Sequence, residues 1–313
     1  MGSSKQTKEQ SMNDNTQEKS RTGVFLVLIA GLLWGTMGIW VRNLNAAGIT
    51  TGDITLLRSL GMVFLLGLYG LFFRRSMFRI RLKDIWCFLG TGIVSILFFN
   101  YCYMTTITRT SLSVAALLLY TSPAFVLIGS SLLFRERFTL RKLLALFMAF
   151  FGCVCISGIF QSAETISPRN LAVGIGAGFG YAMYSIFGHY ALKRGYGGTT
   201  ITFYTFLIAS AGMLPFGAPV KVFHILSGDI SLLPYVPGLI VICTLIPYLS
   251  YTAGLNRMET GLASIVACVE PVAATLVGFF LYREKLSGSE LLGILFVLGS
   301  VVVINLKKPS QKA

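Results

Sequence analysis

A bilayer core about 30 Å thick takes roughly 20 apolar residues wound as a helix, and this 313-residue chain contains ten such stretches. They lie near 23–42, 54–73, 85–106, 111–134 and 141–160 in the first half, and near 170–192, 199–217, 233–255, 260–282 and 288–306 in the second. The seventh is the least apolar, since it opens on Thr199-Thr200-Ile201-Thr202. The link from Phe216 to Leu233 is the longest between helices. Its Val222, Phe223, Ile225 and Leu226 suit the membrane surface rather than a further span. In lipid every backbone N–H and C=O needs an internal partner, so such a chain folds as a helix bundle.

Composition closes off the other classes. Only 12% of residues are charged and 54% are hydrophobic, whereas a soluble domain carries about twice that charge. A net charge of +14 suits nucleic acid only if the positive residues share one face. Here they stand in short clusters between apolar stretches, which is the pattern of membrane topology. With the N-terminus inside, nineteen Lys and Arg fall on cytoplasmic segments. Six (Arg42, Arg109, Arg169, Lys221, Arg283, Lys285) fall outside, and Arg58 is left within a helix. Both termini are therefore expected in the cytoplasm, with the chain multi-pass in the plasma (inner) membrane. Residues 1–22 are polar and lack the apolar core of a signal peptide, so they read as a disordered tail, as do 307–313. The cysteines Cys87, Cys102, Cys153, Cys155, Cys243 and Cys268 all lie in apolar stretches without zinc-ligand spacing, so they read as packing residues.

The chain also repeats itself. A shift of 148 positions lays TSPAFVLIGSSLLFRERFTLRKLL on VEPVAATLVGFFLYREKLSGSELL. Pro123 then meets Pro271, and Arg135-Glu136-Arg137 meets Arg283-Glu284-Lys285. Upstream, Tyr103 meets Tyr251 and Arg109 meets Arg257; at a shift of 147, Gly31 and Trp34 meet Gly178 and Tyr181. The two units are 23–160 and 169–306. Five helices per unit, an odd number, invert the second unit in the membrane. The expected fold is thus an all-α integral membrane protein of ten transmembrane helices in two inverted five-helix repeats. That construction is used by secondary transporters, with a substrate site at the midplane between the halves.

Several of these residues resemble a known family. Trp34-Gly35 in the first helix, Arg58 early in the second, and Glu270-Pro271 followed by Tyr282-Arg283-Glu284-Lys285-Leu286 are similar to the EamA-type branch of the drug/metabolite transporter superfamily. The likeness covers about residues 22–306. It implies a ten-helix carrier of metabolites such as amino acids, amines or sugars, without selecting one. Where the family often has glycine before the glutamate of the terminal motifs, this chain has Arg135 and Arg283, which bears on the geometry of those two loops.

Glu270 is the sharpest site candidate. It is the only acidic residue near the middle of a span, and charges at that depth face cavities and serve function. Pro271 frees a backbone carbonyl one turn back. A carboxylate there can hold a cationic group or carry a proton; the bland alternative is a structural residue between helices. Ala263, Ala267 and Ala274 share its face and leave room for a ligand or, equally, for a packed neighbour. Aromatic residues recur at matched depth: Trp34 with Tyr181, Tyr103 with Tyr251, Asn100 with Tyr248, and Tyr120 and Tyr184 nearby. They form either the walls of a substrate cavity, as in a cage for an ammonium group, or ordinary helix packing. Arg58 is read as a gating or pairing residue or as a side chain snorkelling to headgroups. His189 reads as interfacial. Gly31-Gly35, Gly174-Gly178 and Gly176-Gly180 permit close helix approach, and Pro247 predicts a kink.

The expected function is a secondary transporter of a small metabolite working by alternating access, with Glu270 as proton-coupling candidate. The alternative is a carrier of a quaternary-ammonium compound such as choline held in the aromatic cage. A membrane enzyme or a channel is more remote: no HExxH, GxSxG or paired carboxylates appear, nor a filter loop. No Walker motif, metal site or cofactor is expected. The partners are a small-molecule substrate and the lipid bilayer, not nucleic acid, with a homodimer left open.

Overall fold

The computed structural model describes residues 2–159 and 166–305, with side chains from residue 18 onward. The described residues are helical throughout, without strands. Among the described residues, nine helices are long and apolar enough to cross a membrane: α1 (Glu18–Ala46), α2 (Thr51–Phe72), α3 (Leu82–Arg109), α4 (Leu112–Phe134), α6 (Pro168–Lys193), α7 (Gly198–Phe216), α8 (Ile230–Leu255), α9 (Thr260–Tyr282) and α10 (Gly288–Asn305). The tenth, α5 (Leu140–Ile156), has 17 residues, at the short end of what spans a bilayer. The helix leading into α1 begins at Gly2. The segment that the sequence predicts to be disordered is thus helical here, in a stretch of Lys, Gln and Glu that tolerates helix well. The tail 307–313 lies outside the described residues.

Apolar side chains cover the outside, as lipid requires: Phe72, Phe73, Leu132, Phe280 and Leu295 all stand largely exposed. The interior runs from Val27 and Trp34 on α1 through Phe206 on α7 to Tyr251 and Val266 on α8 and α9. The Phe216–Leu233 link carries a short helix, Pro219–Gly228. At about 1.5 Å per residue it reaches only about 15 Å. Val222 is buried against Leu44, Ile54 and Leu239, while Phe223 stays exposed, as befits a helix lying along the surface.

The repeat is visible in the irregularities as well as in the helices. A wide-wound π stretch occupies Gly90–Phe98 in α3 and Gly238–Leu245 in α8, 148 positions apart. The kink expected at Pro247 takes this form, just upstream of the proline. Its counterpart in α3 is Phe99, so the proline alone is not the cause. Both α4 and α9 are interrupted: Leu112–Leu119 gives way to Ser122–Phe134, and Thr260–Ala267 to Val269–Tyr282. The breaks fall one turn before Pro123 and Pro271, which have no N–H to offer the Leu119 and Ala267 carbonyls and whose rings crowd them. Both helices end on a non-glycine residue in left-handed conformation, Arg135 at φ 57° and Arg283 at φ 55°. This is the turn for which glycine is the low-cost choice.

Candidate functional site

Close approach within two helix pairs builds the site. Gly31 and Gly35 lay α1 against the break in α9: a Cβ at Gly35 would overlap Ala273 Cβ and stand 2.7 Å from the Glu270 carbonyl. The inverted copy does the same, since Gly178 of α6 sits on Leu118 and Thr121 at the break in α4. These glycines therefore hold two interrupted helices by their broken midpoints.

Glu270 lies in the first turn of Val269–Tyr282. The positive end of the helix dipole favours a carboxylate at that place. The Tyr181 hydroxyl donates to its Oε2 at 3.3 Å. Tyr103, Tyr120 and Arg58 also lie near Glu270. It forms no ion pair with Arg58, because no Glu270 oxygen comes within salt-bridge distance of that guanidinium. Arg58 is 7% exposed; its Nη1 meets only the Met37 sulfur at 3.6 Å, and its Nε has no partner. Its burial speaks against the snorkelling alternative: the guanidinium turns inward, on the side of Tyr248 and Cys243.

Tyr181 belongs to a cluster of aromatic rings. Trp34 meets Tyr248 at 5.4 Å and Tyr251 at 5.5 Å between centroids, and Tyr181 at 6.5 Å. Tyr184 meets Tyr248 edge-on at 5.1 Å. Hydroxyls fix the ring positions: Tyr184 with Thr252 at 2.8 Å and Tyr251 with Ser185 at 2.7 Å. Trp34, Tyr181, Tyr184, Tyr248 and Tyr251, with Ser95, Ile96 and Phe99, enclose about 20 Å³, room for about one water. Tyr103 joins through Phe99, 5.6 Å away, and Phe99 in turn meets Tyr181 at 5.5 Å. Tyr120 sits half-buried at the break in α4.

Asn100 is not brought to this cluster. Its Nδ2 donates to the Ile96 carbonyl at 2.7 Å and its Oδ1 faces Thr55; it lines a lateral, largely apolar crevice with Leu97, Met104 and Phe216. His189 is far along α6, its Nδ1 3.1 Å from the Thr260 hydroxyl and its ring against Phe134. Phe99 and Phe206, the latter 4.8 Å from Tyr248, belong to the cluster and were not singled out from sequence. One signal for Phe99 was available, since it is the repeat mate of Pro247.

A bundle of inverted five-helix repeats, with interrupted helices meeting at a polar centre, defines an integral membrane transporter. The profile of the EamA-like transporter family matches residues 21–158 and again 169–306. The chain belongs to that family. An uncharacterized transporter of Archaeoglobus fulgidus is 28% identical, over 90% of this chain and 96% of its own. The uncharacterized inner membrane transporter YicL of Salmonella typhimurium is 25% identical, over 92% and 96%. A protein of known crystal structure has the same fold at a TM-score of 0.71, with 18% identity, over 91% of this chain and 96% of that one.

Proposed function

We propose that the protein is a secondary carrier of small ammonium-bearing metabolites, foremost amino acids, and that it moves them unchanged. One observation carries the reading: Glu270 is bonded to Tyr181 of the aromatic chamber and Arg58 lies buried close by, and among the described residues neither has an ion-pair partner. An isolated buried charge is costly, and a zwitterion offset by the aromatic rings answers both at once. Its carboxylate meets the Arg58 fork and its ammonium meets Glu270 and the faces of Trp34 and Tyr248. At about 20 Å³ the chamber holds no amino acid, so loading requires the halves to part. Among the described residues, Glu270 is also the one acidic group beside the chamber that could exchange a proton in the same cycle.

The orientation supported by the Lys and Arg asymmetry places the Arg135 end of α4 and both termini in the cytoplasm, and the Arg283 end of α9 outside. The plasma membrane location agrees with the printed description of the Salmonella relative.

A second reading, a quaternary ammonium such as choline, is favoured by the rings Trp34, Tyr184, Tyr248 and Tyr251 alone. Arg58 separates the two. Thermal-shift screening of the purified protein against amino acids, amines and choline selects ligands. Arg58→Gln should then abolish the shift from an amino acid and leave that from its decarboxylated amine. Equal shifts for wild type and variant with every ligand would refute the zwitterion reading.

A further inference from the structure

The two ends of the repeat are built alike but stand in different states. On the cytoplasmic side Glu136, just past the left-handed Arg135, turns its carboxylate onto the start of α9. Oε1 accepts from the Thr260 amide at 2.7 Å and Oε2 from the Gly261 amide at 3.1 Å. Its side chain is only 10% exposed, and Lys142 stands 3.9 Å away, itself paired with Glu259 at 2.6 Å. A carboxylate on the first amides of a helix is a charge-assisted cap. The seam beneath it is tight: a Cβ on Gly261 would come 2.8 Å from Leu127 and 3.3 Å from the Ser130 hydroxyl. Thr260–Ala267 accordingly packs on Ser122–Phe134.

Shifted by 148 positions, Glu136 becomes Glu284, and Thr260 and Gly261 become Leu112 and Ser113. The symmetric cap would be Glu284 on the start of α4, and it is not made. Glu284 pairs instead with Arg42 at 2.9 Å, with both side chains more than half exposed. Leu112 is 63% exposed, and Leu112–Leu119 does not pack on Val269–Tyr282 as its repeat mate packs on Ser122–Phe134. Such an exposed pair holds weakly.

We infer that Glu136 and Glu284 are reciprocal gate residues. Glu136 closes the cytoplasmic mouth by capping α9, and Glu284 closes the outer mouth by leaving Arg42 and capping α4 at Leu112 and Ser113. The two caps alternate. The left-handed turns at Arg135 and Arg283 aim each carboxylate at the opposing helix start. The inference rests on the carrier reading but not on the substrate, and it is tested without one.

Single cysteines report each mouth: Ser130→Cys at the buried cytoplasmic seam and Ser113→Cys at the half-buried outer start of α4. Maleimide labelling of the purified protein is read by peptide mass, since the six native cysteines are buried. Glu136→Gln should speed labelling at Ser130→Cys by about tenfold, the factor for losing one charge-assisted contact, and slow it at Ser113→Cys. Glu284→Gln should leave Ser130→Cys as slow as in the parent. Unfolding would speed both sites together. Either that result, or no change at either site in Glu136→Gln, overturns the reciprocal gate.

Discussion

Gly35 offers a sharp test of how the site is assembled. A methyl group added there would overlap Ala273 Cβ and stand 2.7 Å from the Glu270 carbonyl and 2.8 Å from the Ala274 amide nitrogen. Two of these three atoms are backbone, so no side-chain rotation relieves the contact. In Gly35→Ala, α1 must back away from α9 by several tenths of an ångström. Overpacking of this kind costs about 1–3 kcal/mol. Gly38, one turn on in the same helix, supplies the control, since a Cβ there meets nothing within 4 Å. Gly38→Ala gains about 0.5–1 kcal/mol from reduced backbone freedom. Thermal unfolding in detergent should therefore separate the two variants, with Gly35→Ala several degrees below the parent and Gly38→Ala at or above it. Because the displaced atoms belong to the turn bearing Glu270, Gly35→Ala should lose transport as well. Equal stability of the two variants would refute the argument that α1 holds α9 by its break.

Trp34→Ala removes the ring that touches Tyr181, Tyr248 and Tyr251. A desolvated cation–π contact is worth about 2 kcal/mol, so the Kd of an ammonium ligand should rise about thirtyfold by calorimetry. Elsewhere, Asp84 at the start of α3 accepts from Arg81 at 2.8 Å, Arg194 at 2.7 Å and the Tyr196 hydroxyl at 2.8 Å, tying the α2–α3 loop to the α6–α7 loop. Asp84→Asn should speed hydrogen exchange in both loops while leaving α9 unchanged.

The ten helices were legible because a bilayer fixes helix length, and the inversion followed from an odd number of helices per repeat. Glu270 could be found because a lone carboxylate at mid-membrane is costly. What sequence left hidden depends on where the backbone departs from the α-helix. Hydropathy reads α4 and α9 as continuous, yet each breaks before its proline, which puts Glu270 at a helix start. The π stretches at Gly90–Phe98 and Gly238–Leu245 carry no compositional mark. Asn100 and Tyr103 share a face by spacing, but they sit about 60° apart on the helix. At the junction of α2, α3 and α6 that angle sends Asn100 to Thr55 and Tyr103 toward Phe99. Arg58 near a helix end reads equally as snorkelling or inward; only packing against Met37 decides.

The central claim is that Glu270 receives the ammonium of a carried amino acid. Its most direct test is counterflow in proteoliposomes preloaded with a mixture of the standard amino acids and given the same mixture, radiolabelled, outside. The parent protein should accumulate label transiently, and Glu270→Gln, reconstituted to the same level, should not. Undiminished counterflow in Glu270→Gln would contradict the account.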